Sequence, residues 1–138
     1  MTRQTWIAGL VTAATVLAAG TASAFTSSNY MRVNPVSDSV FEVLPRGGAR
    51  RSGDYWCAAA EYLLFTGVSN ATQRIYVVRA LGPGQTANRR STVQFSITPP
   101  AGVDTTPGIS LTVRRVGENM SAHLARSQCF FRDPIFIP

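Results

Sequence analysis

The sequence has no lysine, a single histidine and only two cysteines among its 138 residues. If both cysteines are used in a disulfide, these counts exclude a zinc site built mainly from histidine or thiolate ligands. No segment repeats with a period of roughly 20–50 residues, which excludes solenoids and propellers. After residue 24, no apolar run approaches the ~20 residues of a membrane-spanning helix. We therefore expect no bound metal, no cofactor and no transmembrane segment in the mature chain.

The first 24 residues have the features of a cleavable signal peptide. Arg3 gives a positive start, and an uncharged, mainly apolar stretch covers residues 7–20. Residues 21–24, Thr-Ala-Ser-Ala, then match the small-x-small pattern that signal peptidase cleaves. A retained anchor helix is the alternative, but the apolar stretch is short for one. We expect export to the periplasm or the extracellular space, with the mature chain beginning at Phe25, and nucleic acid is not an expected partner.

Residues 25–138 have the length of one small globular domain. The whole chain is 45% hydrophobic and 14% charged, which is typical of a folded rather than a disordered protein. Cys57 and Cys129 are the only cysteines, and in an oxidising compartment such a pair predicts one disulfide. Closing a loop of this length stabilises a fold by about 4 kcal/mol in the chain-entropy model. The apolar tail after Cys129 is expected to be held against the domain by that bridge.

The hydrophobic pattern predicts an α+β domain. Alternating apolar residues predict strands over 39–44, 73–80, 91–98 and 109–116, the last three forming an antiparallel meander. In the strand over 91–98, Val93, Phe95 and Ile97 are expected inward and the intervening polar residues outward. Helical spacing of apolar residues predicts a helix over 54–65, with Asp54 as its cap. Residues 25–35 are expected to be an irregular or extended lead-in, and 119–128 to be either a helix or a strand.

The mature chain is basic, with twelve arginines against seven acidic residues and a net charge of +5. The arginine side chain presents a planar fork of donors that fits phosphate and carboxylate groups. Several arginines occur in short groups beside predicted loops or strand ends: Arg46, Arg50 and Arg51; Arg89 and Arg90; Arg114 and Arg115. An exported basic domain can recognise an anionic envelope component or an acidic protein. Solubility and base composition are the alternative explanation of the charge.

The strongest local candidate for a binding site is the start of the predicted helix. Free backbone N–H groups there would point in the same direction as the arginines that precede them, an arrangement suited to anions. We therefore predict an anion site, which comprises Arg46, Arg50, Arg51, Asp54 and Trp56. The alternative is that Trp56 only packs in the core.

No catalytic motif is assembled in the sequence. There is no Gly-x-Ser-x-Gly nucleophile elbow and no phosphate loop. The second hypothesis is a small exported hydrolase that uses Asp54, Glu61 or His123, and it requires at least two of these residues to share one concave pocket. The sequence favours a non-enzymatic binding or accessory protein.

Overall fold

A computed structural model describes residues 24–47, 50–68 and 70–131. These residues form an α+β domain in which six strands and two helices follow in the order β1 (Phe25–Thr26), β2 (Arg32–Pro35), β3 (Val40–Leu44), α1 (Ser52–Phe65), β4 (Arg74–Gly82), β5 (Thr92–Ser96), β6 (Asn119–Ser121) and α2 (Ala122–Ser127). The predicted fold class is confirmed. Most of the predicted signal peptide, residues 1–23, and the end of the apolar tail, residues 132–138, lie outside the described residues.

The strands form a single antiparallel sheet with the order β1-β2-β3-β5-β4-β6. β3 and β4 flank β5 and run parallel to each other, so the chain between them must cross over a strand. α1 makes this crossover. The sheet is larger than the predicted three or four strands because β1 and β2 extend it at one side and β6 extends it at the other.

The hydrophobic core lies between α1 and one face of the sheet. Trp56 is fully buried and packs edge-on against Phe95, with 5.0 Å between the ring centroids. The ring centroids of Phe41 and Tyr62 are 4.7 Å apart in the same layer. Three consecutive alanines, residues 58–60, are buried at this interface and keep the helix close to its neighbours.

α2 packs against α1, and the disulfide between Cys57 and Cys129 joins α1 to the turn that follows α2. The two Cα atoms are 4.9 Å apart. The predicted bridge is therefore confirmed, and it ties the middle of the chain to its C-terminal part. The tail immediately after it is not packed as expected, because Phe130 and Phe131 are 77% and 63% exposed.

The face of the sheet opposite α1 is also covered. Glu42 and Gln94 are buried there, under the loop of residues 82–91. The prediction that Thr92, Gln94 and Ser96 point to solvent is wrong, since every residue of β5 is buried. The alternation in β5 gave the two faces of the strand correctly, but the loop that precedes the strand folds back over its polar face, where Gln94 bonds to Gln85 and Thr92 bonds to Gly82.

The predicted strand over 109–116 is absent, and this stretch is irregular. The hydroxyl oxygen of Ser110 accepts the backbone N–H of Thr112, and that of Thr112 accepts the backbone N–H of Arg114. Such local bonds turn the backbone and compete with a strand ladder. Ile109 is fully exposed, whereas Val113 is buried and accepts a hydrogen bond from the backbone of Leu81.

Two other segments are more regular than predicted. The lead-in over 25–35 contains β1 and β2, with Met31 and Val33 fully buried. Residues 119–128 hold both predicted alternatives in succession, because β6 pairs with the start of β4 and then continues into α2. None of the helices in the described part of the chain has the length and apolar character needed to cross a membrane.

A hydrogen bond that ties α1 to the irregular 109–116 stretch can be tested directly. The indole Nε1–H of Trp56 donates to the carbonyl oxygen of Leu111 at 2.8 Å. Replacing Trp56 with phenylalanine should lower the free energy of unfolding by about 2 kcal/mol, since it removes this partly buried bond and part of a core side chain. Chemical denaturation measures this loss. The control is Tyr62→Phe, which removes a hydroxyl and should cost under about 0.5 kcal/mol; equal losses would contradict the assigned role of the bond.

Candidate functional site

The start of α1 forms one wall of an open pocket of about 390 Å³. Its lining residues come from the helix start, the irregular stretch and the chain after α2: Arg51, Gly53, Asp54, Leu111, Gln128 and Phe131. Nη2 of Arg51 donates to the carbonyl oxygen of Phe131 at 2.7 Å. Two of the predicted anion-site residues, Arg51 and Asp54, therefore lie together at this pocket.

Asp54 has a structural role at this end of the helix. α1 begins at Ser52, so Asp54 is its third residue rather than its cap as predicted. The carboxylate of Asp54 accepts the backbone N–H of Arg51 at 3.0 Å. This bond satisfies one N–H group at the helix start, and the carboxylate also places a negative charge near the positive end of the helix dipole.

The other predicted members of the site are distributed differently. Trp56 is buried in the core and contributes no surface for a ligand. Arg46 is exposed in the loop after β3. Arg50 is half-buried, and its Nε atom is buried without a hydrogen-bond partner among the described residues. Of the five residues, Arg50 is the one that retains an unused buried donor.

Tyr55 marks the position where separate arginine groups come together. Its hydroxyl donates to the carbonyl oxygen of Ser91 at 2.8 Å. Burial raises the pKa of Tyr55, and the charge of Asp54 raises it further, whereas Arg50 and Arg114 act in the opposite direction. Both guanidinium groups are therefore near enough to the Tyr55 hydroxyl to influence its ionisation.

Ser91 directly follows Arg89 and Arg90, both of which are exposed. The bond from Tyr55 thus brings a third part of the chain to the same end of α1. We use the name basic rim for Arg50 and Arg114, which act on Tyr55, together with Arg89 and Arg90, which directly precede its partner Ser91. The segments that carry these arginines are separated by up to 64 positions in the sequence, and the fold brings them to Tyr55.

The neighbouring arginine, Arg115, is used differently. It forms an ion pair with the buried carboxylate of Glu118, with 2.7 Å between Nη2 and Oε2. Arg114 is exposed and makes no ion pair within the described part of the chain. The charge of Arg115 is largely compensated, whereas that of Arg114 remains open to an external anion.

The three residues of the hydrolase hypothesis do not share a pocket in the described part of the chain. Asp54 lines the pocket at the start of α1. Both carboxylate oxygens of Glu61 accept hydrogen bonds from Ser28. His123 lines a separate, mainly apolar pocket of about 80 Å³ beside α2. The convergence that this hypothesis requires is therefore not found among the described pockets.

Sequence reasoning missed Tyr55, Ser91 and Arg114 as parts of one surface. The arginine groups were visible in the sequence, but nothing local indicates that residues 50, 90 and 114 meet. No family model, curated protein or solved structure matches this chain.

Proposed function

We propose that this chain is an exported, non-enzymatic binding protein that contacts an anionic envelope component or an acidic protein through the basic rim. One observation carries the proposal: three separate parts of a lysine-free chain bring arginines to the same end of α1 around Tyr55. The disulfide is compatible with an oxidising compartment and with the signal-peptide features of residues 1–24.

The chemistry of the rim is suited to an anion with several oxygen atoms. Exposed Arg114 presents a whole guanidinium group, and half-buried Arg50 has a buried Nε–H that no described residue accepts. Arginine donors bind phosphate and carboxylate oxygens in pairs, which gives both charge and geometry. Because Arg89, Arg90 and Arg114 are exposed, we expect an association that weakens as salt is added.

The rim can be tested with two double variants that change the net charge equally. Arg50→Gln with Arg114→Gln removes two rim charges. Arg79→Gln with Arg126→Gln removes two exposed charges that are not among those acting on Tyr55. Binding to vesicles that contain an anionic phospholipid, and to an acidic protein, is measured at low salt.

We expect the rim variant to bind about tenfold more weakly than the wild type, because two charge contacts at the surface are each worth about 0.5–1 kcal/mol. The control variant should stay close to the wild type. Tighter binding to the vesicles would indicate an anionic envelope component as the partner, and tighter binding to the acidic protein would indicate a protein partner. Equal losses in both variants would show that only net charge matters, and absence of binding to either probe at low salt would overturn the proposal.

A further inference from the structure

We propose that Cys57, Cys129 and Glu61 form a Zn²⁺ site once the disulfide has been reduced. The two Sγ atoms and a carboxylate oxygen of Glu61 all lie within 4.8 Å of one another. In the oxidised protein both sulfur atoms are held in the S–S bond and offer no thiolate. The redox state of the bridge therefore decides whether the site can bind metal.

The fold places the three ligands from two directions. Cys57 and Glu61 are four residues apart on α1, so they lie on the same side of that helix. Cys129 follows α2 and approaches them because the two helices pack together. Cys57 is fully buried, while Glu61 and Cys129 are half-buried. A metal ion can therefore reach the thiols from the side of Glu61 and Cys129.

Ser28 holds the carboxylate of Glu61 in place. Its backbone N–H donates to Oε2 at 2.6 Å, and its hydroxyl donates to Oε1 at 2.5 Å. Carboxylates that bind metals are commonly oriented by hydrogen bonds of this kind. Each oxygen keeps a further lone pair for a cation, so Ser28 orients the ligand without using up its capacity.

Reduction of the disulfide requires an external thiol or phosphine, which supplies the electrons. Two electrons and two protons convert the Cys57–Cys129 bond into two thiols, and the reductant is oxidised in the same step. When Zn²⁺ binds, the two thiols lose their protons and become thiolates. Two thiolates and one carboxylate suit Zn²⁺, and water completes a four-coordinate site.

The experiment measures metal uptake by the purified protein in both redox states. A phosphine reductant opens the bridge without adding a competing thiol. Zn²⁺ is titrated against a chromophoric chelator, and Co²⁺ is used as a probe because thiolate ligation gives it a characteristic charge-transfer absorption. We expect one ion per chain and two protons released per Zn²⁺ in the reduced protein, with no comparable uptake in the oxidised protein.

The variants identify the ligands. Cys57→Ser should remove most of the charge-transfer absorption, and Glu61→Gln should weaken Zn²⁺ binding at least about tenfold, which is the lower end of the loss seen when only a supporting residue of a metal site is changed. Asp38→Asn is the control, because it removes one exposed carboxylate elsewhere. Equal binding by the Glu61 and Asp38 variants would exclude Glu61 and overturn the site.

Loss of the bridge can unfold the chain, so folding is followed by near-ultraviolet circular dichroism in parallel. If the reduced protein unfolds without metal, Zn²⁺ should restore the fold, because binding to the folded state alone shifts the equilibrium toward it. Reduced protein that neither binds Zn²⁺ when folded nor refolds in its presence would overturn the proposal. Equal uptake by oxidised protein would do the same.

Discussion

Gly117→Ala should lower the free energy of unfolding by about 2–5 kcal/mol, and chemical denaturation measures the loss. Gly117 has a φ of +92°, a region that L side chains rarely adopt. A methyl group at this position would overlap the carbonyl oxygen of Asp104 and would lie 2.7 Å from Cγ1 of Val103. Backbone strain costs about 1–2 kcal/mol and overpacking a further 1–3 kcal/mol.

The overlap at Gly117 is costly because the backbone on both sides is fixed. The N–H of Gly117 donates to the carbonyl oxygen of Val77 at 2.8 Å, and the N–H of Val77 donates to that of Glu118 at 2.8 Å. The side-chain amide of Asn119 donates to the carbonyl oxygens of Thr105 and Gly117. The chain at Gly117 cannot move away from Asp104 without breaking some of these bonds.

Gly67 is a matched control for this substitution. Its φ is +90°, almost the same as that of Gly117, but a Cβ atom there would meet nothing within 4 Å. Gly67→Ala should therefore cost only the backbone strain, about 1–2 kcal/mol. Similar losses at both positions would show that φ alone sets the cost and that the contact with Asp104 contributes nothing.

The spacing of apolar residues was sufficient to predict four of the elements, the helix α1 and the strands β3, β4 and β5. α1 was predictable because apolar residues recur at helical spacing and a glycine, Gly67, follows its end; the structure gives this glycine a positive φ. β3, β4 and β5 were predictable because alternation matched the pleat of a strand. In each of these elements the local preference for helix or strand agrees with the tertiary structure, although the polar residues of β5 and Glu42 of β3 are buried.

The 109–116 segment shows where alternation is insufficient. Ile109, Leu111 and Val113 repeat every second residue, as in a strand, yet only Val113 is buried. Polar residues between them, Ser110 and Thr112, bond to the local backbone instead. In the predicted meander this segment would pair with β5, but the edge of β5 that β4 leaves open is taken by β3. This competition depends on distant residues and was not visible in the local pattern.

The candidate site was predicted only in part for the same reason. The start of α1 was identified from its sequence, and Arg51 and Asp54 do line a pocket there. Arg114 and the loop carrying Arg89 and Arg90 reach that end through tertiary packing, which no short spacing encodes. Trp56 was named as a candidate member of the anion site, with core packing as the alternative, and its side chain is buried in the core.

Glu42 connects the stability of the sheet to the position of this surface. Its fully buried carboxylate accepts hydrogen bonds from the backbone N–H groups of Gln85 and Thr86, both at 2.9 Å, from the Thr86 hydroxyl at 2.7 Å and from the side-chain amide of Gln94 at 2.9 Å. No cation pairs with it among the described residues. These bonds hold the 82–91 loop, which carries two arginines of the basic rim.

Glu42→Gln should lower the free energy of unfolding by about 3 kcal/mol, because a neutral amide accepts weaker bonds and turns an NH₂ group toward existing donors. Asp38→Asn removes an exposed carboxylate and should change stability by under about 0.5 kcal/mol. Because the loop loses its anchor, the Glu42 variant should also bind the anionic probes more weakly than the Asp38 variant at the same net charge. Equal stability of the two variants would contradict the anchoring role.

The pH dependence of unfolding gives an independent check on Glu42. Burial alone would raise the pKa of its carboxyl group, but the bonds from Gln94, Thr86 and Gln85 outweigh this effect, and the pKa lies below its usual value of 4.5. The unfolded state therefore binds the proton more readily than the folded state. The stabilisation is fully present above about pH 4.5 and is lost as pH falls through the lowered folded pKa. The difference in stability between the wild type and Glu42→Gln should shrink over that interval, and a difference that stays constant would show that the carboxylate charge is not what holds the loop.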